Sequence, residues 1–142
     1  GRPIPTVSNK SGGHFVQAGD GAQPTATIHV PMKTVDHIAA ELGSPIALIK
    51  CDTQGHEDHI LTGAQDLLAQ RIVPWHLEFW PIGIDRAGGS IGHAIGLIQK
   101  YFSCFADCRA SAPDLVPIEA FGRYAEAKNF SNGKFTDFLL RP

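Results

Sequence analysis

"LIKCDTQGHEDHIL", residues 48–61, changes character twice within fourteen positions. The run Ile46–Cys51 is almost continuously apolar, which suits a central strand of a parallel sheet, covered on both faces. Asp52 ends that run, and Gly55 allows a tight turn with positive φ. From Glu57 the period shifts, and Ile60, Leu61, Ala64, Leu67 and Leu68 recur as one face of an amphipathic helix. Glu57 and Asp58 fall in its first turn, where the macrodipole favours anions. The stretch therefore predicts a strand, a turn and a helix in succession.

The same alternation extends on both sides. Upstream, residues 1–24 are rich in Gly, Pro, Ser, Asn and Gln, and predict loops around a short edge strand at His14–Gln17. Thr25–Val30 is β-branched and closed by Pro31, a strand. Thr34 caps a helix with Val35, Ile38, Ala39 and Leu42 on one face, stopped by Gly43, Ser44 and Pro45. Downstream, Val73–Trp80 reads as a strand, residues 81–90 as a loop, and Ile91–Phe102 as a helix capped by Ser90. Ser103–Arg109 and Phe135–Arg141 read as two last strands, separated by a long polar stretch that is functional or hides a short helix. The order predicts an α/β domain over residues 25–142, with right-handed crossovers and an open, mostly parallel sheet ending in an antiparallel strand pair. Ligands in such sheets bind beyond the carboxyl ends of the strands, where Asp52, Glu78 and Trp80 lie.

Composition narrows the function. The chain has 142 residues, 43% hydrophobic and 18% charged, enough for one domain with a core. A formal charge of -2 and the lack of any Lys/Arg run argue against nucleic-acid binding. No apolar run approaches a membrane span and no signal peptide opens the chain. Three cysteines without CxxC spacing point to a reducing cytoplasm, with Cys51 a small core residue.

Two chemistries suggested by the histidines and the turn lack their full motifs. His56 and His59 flank Glu57 three residues apart, whereas the zinc-protease motif H-E-x-x-H needs four. No Cys or carboxylate cluster completes a metal set by sequence, although His56, His59 and His76 leave a histidine-based metal protein as a weak third option. The "DTQG" segment matches the D-x-x-G switch of a GTPase, yet residues 1–47 hold no phosphate-cradling P-loop.

Three segments in order, "VPMKTVDHI", "IALIKCDTQGHEDHILTGAQDLL" and "VPWHLEFWP", resemble the C-terminal half of the FkbM-type methyltransferase family over residues 25–85. Thr34, Asp36, Lys50, Asp52, Gln54, Gly55, Glu57, Gly63, Ala64 and Glu78 carry the likeness. The resemblance implies a Rossmann-like methyltransferase fold and S-adenosylmethionine-dependent methyl transfer to oxygen of a small sugar-like or natural-product-like substrate. It implies catalytic roles for Asp52, His56, Glu57 and Glu78, cofactor contacts from Asp52, Thr53 and Gln54, and substrate contacts from Trp80 and Asp85. Either Asp52 or Glu57 would serve as base, or bind a divalent cation that acidifies the hydroxyl. Their structural alternative is a turn-and-cap pair that fixes the strand-to-helix connection.

The glycine-rich cofactor loop of such folds has no counterpart here, since "SGG" and "GDG" are neither preceded by an apolar strand nor followed by a helix. The expectation is half of a cofactor site, with the N-terminal strands of the fold missing and weak cofactor binding by this chain alone. An open sheet edge would then be covered by a second copy or another protein. The alternative function is a non-catalytic binding or assembly module derived from the same fold.

Overall fold

The computed structural model describes residues 3–5, 27–29, 31–128 and 134–142. The chain divides into two units, residues 1–33 and 34–142. In the first, β1 (Pro3–Pro5) pairs antiparallel with β2 (Thr27–His29), so the β-branched run after residue 25 forms the expected strand. The edge strand expected at residues 14–17 lies outside the described residues.

The second unit begins where Thr34 Oγ1 accepts the His37 N–H at 3.1 Å and starts α1 (Val35–Leu42). Gly43, at φ 59°, ends it in the left-handed conformation that glycine adopts without steric cost. β3 (Ile49–Cys51) is shorter than its apolar run, and Asp52 follows it directly. The amphipathic stretch after Glu57 forms two helices, α2 (Glu57–Thr62) and α3 (Gln65–Ala69), rather than the single one expected. A competing cap explains the break: Asp36 accepts the N–H groups of Asp66 at 3.1 Å and Leu67 at 2.9 Å. The Asp36 N–H in turn donates to the Gly63 carbonyl at 3.0 Å.

β4 (Trp75–Phe79) is the buried strand expected from its sequence. Residues 81–90, read as a loop, contain the helix α4 (Pro81–Arg86), with proline at its first position where no N–H is required. Ser90 caps α5 (Ile91–Tyr101), accepting the His93 N–H at 3.2 Å. After β5 (Cys104–Asp107), the long polar stretch holds β6 (Val116–Pro117), a 3-10 turn at Ile118–Ala120 and α6 (Phe121–Ala127). The last strand is β7 (Thr136–Arg141).

The expectation of a mostly parallel sheet is corrected. The strand order is β3-β4-β7-β5-β6, and only β3 and β4 pair in parallel. β3, β4 and β5 do point the same way, as the intervening helices require. β7 enters between β4 and β5 in the opposite direction, so each of them pairs with an antiparallel neighbour there. Register puts Ile49, Trp75 and Leu140 in one row and Cys51, Leu77 and Phe138 in the next, on the same apolar face. Phe79, Phe105, Phe121 and Phe138 meet edge to face above it, with centroids 5.0 to 6.3 Å apart. Cys51 belongs to this core, and burial pushes its thiol up to about 12. The opposite face carries Lys50, His76, Glu78, Asp137 and Leu139. Among the described residues no helix is long and apolar enough to cross a membrane.

Candidate active site

The chain past β3 is bent by two residues in succession with positive φ, Gln54 at 54° and Gly55 at 104°. Gly55 has no alternative here, because a Cβ would overlap the backbone of Gly83 in α4. Gly83 is equally constrained from its other side by the Trp80 ring. Glu57, fully buried, fixes the turn from beneath: its Oε1 accepts the Gly55 N–H at 3.0 Å and the Thr53 hydroxyl at 3.1 Å. Glu57 Oε2 has no hydrogen-bond partner among the described residues.

This bend brings residues from two adjacent parallel strands together. Asp52 follows β3 and Glu78 sits near the end of β4. One amide joins them: Gln54 Nε2 donates to Asp52 Oδ1 at 3.2 Å and to Glu78 Oε2 at 2.9 Å. Lys50 Nζ adds an ion pair to Asp52 Oδ2 at 2.7 Å. The two acids respond oppositely. Lys50 first, then hydrogen bonds from Glu78 and Gln54, lower Asp52 to about 2. Glu78 is only 3% exposed; burial first, then the hydrogen bond and negative charge of Asp52, raise it to about 7. Between these two values the pair holds about one proton, which it gives up as pH rises through about 7.

The remaining expected site residues are placed less centrally. Thr53 serves the turn through Glu57. His56 lies half-buried at the start of α2, its ring 5.8 Å from that of His59. Trp80 is half-buried against Gly83, and Asp85 is exposed on α4 with no hydrogen bond to the carboxylate pair. Among the described residues no group of three or more His, Cys, Asp or Glu side chains is arranged to hold a metal ion.

One pairing escaped sequence reading. Asp58, buried in the first turn of α2, accepts the Ser90 N–H at 2.9 Å and meets His93 Nδ1 at 2.7 Å. The two residues are 35 positions apart, and no spacing rule connects them. Only the Ser90 cap was visible beforehand. Together with His59 Nε2, 3.2 Å from the Ala87 carbonyl, this contact pins the segment after α4 onto α2.

A mixed α/β layer with acids gathered at the carboxyl ends of two parallel strands is compatible with a methyltransferase-like α/β fold. The family model described as the methyltransferase FkbM domain matches residues 4–103, and the chain belongs to that family. No curated protein and no solved structure matched the chain in the corresponding comparisons.

Proposed function

We propose that the protein transfers a methyl group from S-adenosylmethionine to a hydroxyl of a small, polar substrate, with Glu78 taking up the hydroxyl proton. The observation that carries this reading is the asymmetry of the Asp52–Glu78 pair. Glu78, raised to about 7, is poised to gain and lose a proton near neutrality, which is the property asked of a general base. Asp52, lowered to about 2, stays ionised and suits binding a positive group.

The described residues fit the amino-acid end of that cofactor. Asp52 offers a carboxylate to an ammonium group, and Thr53 and Gln54 border it on the turn. When bound, the cofactor supplies a sulfonium-activated methyl. The chain's own task is to hold the acceptor oxygen in line and to receive its proton at Glu78. Trp80 and Asp85 would border the acceptor. Glu57 acts on the turn rather than on the substrate, because it is fully buried and its Oε1 accepts from Thr53 and Gly55.

The test is methyl transfer from cofactor labelled in the methyl group to a panel of sugars and hydroxylated small molecules, using the full-length protein. Expected is labelled product whose rate rises with pH around 7 and collapses in Glu78→Gln. Cofactor binding by calorimetry with no transfer to any acceptor class would favour the assembly-module reading instead.

A further inference from the structure

We propose that Gln54 is a positioning residue, whose single side-chain amide joins Asp52 and Glu78 into one acid–base unit. The proposal rests on the reading of Glu78 as the base, and three observations carry it. Gln54 occupies φ 54°, a region favoured by Gly, Asn and Asp but not by glutamine. The backbone there gains nothing from glutamine, so what the position uses is the reach of the side chain. That reach spans two strands: the amide donates to Asp52 on one side and, 24 residues away in sequence, to Glu78 on the other.

The chemistry of the donor matters as much as its reach. An amide supplies two N–H groups and no charge, so it serves both carboxyl groups without neutralising either. A lysine in its place would bind the pair as a cation and deprive Glu78 of its proton. A glutamate would add a third acid. The backbone of the turn is held below by Glu57 and beside by Gly83, which fixes where the Gln54 side chain starts.

The groups that bear on Glu78 are Asp52 and Lys50 from β3 and its turn, Glu57 from α2, and Asp137 directly opposite on β7. His76 lies two positions earlier on the same face of β4. Gln54 is the neutral member of this set, and its donated hydrogen bond favours the ionised form of Glu78.

Carboxyl-carbon NMR titration of Glu78 tests this without any assay of activity. Wild type is expected to titrate near pH 7. Gln54→Gly, which relieves the backbone, is expected to raise the midpoint by about one pH unit. Gln54→Asn also tolerates positive φ but is one methylene shorter, and should behave like Gln54→Gly; it is the fallback if the glycine variant does not fold. Gln54→Glu should raise the midpoint further. An unchanged midpoint in these variants would overturn the proposal, as would a loss of cofactor affinity with no change at Glu78. If wild type transfers no methyl group while the titrations move as stated, the Gln54 assignment holds and only the methyltransferase reading falls.

Discussion

Glu78 and Asp52 contribute to stability with opposite signs of pH dependence. The folded state raises Glu78 from its usual 4.5 to about 7, so it binds that proton more tightly than the unfolded chain. The corresponding stability is fully present below about 4.5 and is lost as pH rises through about 7. Asp52 is lowered from 3.8 to about 2, so its share is present above 3.8 and is lost as pH falls through about 2. Glu78→Gln mimics the protonated acid and removes the cost of ionising it. It should therefore raise stability by about 2 kcal/mol at pH 8 and change it little at pH 5. Urea unfolding at the two pH values checks this; equal effects at both would mean that Glu78 is not held protonated. Asp52→Asn removes the negative neighbour that raises Glu78. The acid limb of methyl transfer should then move down by about one pH unit or more. Both positions could be found from strand ends alone, because a carboxylate closing a parallel strand points at the ligand side of the sheet. Their protonation could not, since it depends on burial and on a pairing across 26 residues.

At the level of elements, the helix period after Glu57 was visible in the sequence but its interruption was not. Gly63 weakens a helix only modestly, and what ends α2 there is a carboxylate from α1, some 30 residues upstream. Asp36 is thus a cap for α3, and Asp36→Ala should cost about 1 kcal/mol by freeing two N–H groups at its start. Thermal melting measures that loss, and an unchanged melting temperature would remove Asp36 from the cap. α4 was read as a loop because Pro81, Gly83, Gly88 and Gly89 look like turn residues. Three-dimensional contacts give two of these glycines their purpose: Gly83 meets Gly55 backbone to backbone, and Gly89 passes close to Asp58. Adding a methyl at Gly83 forces it into the Trp80 ring, and should displace the Gly55 turn together with Gln54. Gly83→Ala is therefore expected to lower methyl transfer at least ten-fold while the β4–β7 ladder persists. Amide exchange of β4 measured alongside activity separates this from unfolding.

Across the whole second unit, the strand–helix alternation correctly implied that β3, β4 and β5 share a direction. It carried no information on where β7 would insert, because a last strand with apolar alternation fits any open position between neighbours. Packing supplies the choice. Phe138 of β7 lies within 5.0 to 6.3 Å, ring to ring, of Phe79, Phe105, Phe121 and Tyr124, so placing β7 between β4 and β5 puts its ring at the centre of the aromatic cluster. An edge position would leave that ring with neighbours on one side only. The same strand sets Asp137 opposite Glu78, which couples the core to the acid pair. Phe138→Ala should accordingly remove about 3–5 kcal/mol, a large part of the stability of a domain this size. Because β7 carries both effects, the Glu78 titration midpoint should shift in the same variant under conditions where it remains folded. A leucine at 138 restores most of the volume and should recover the midpoint with the fold. If Phe138→Ala unfolds at the wild-type urea concentration, β7 does not hold the centre of the sheet together.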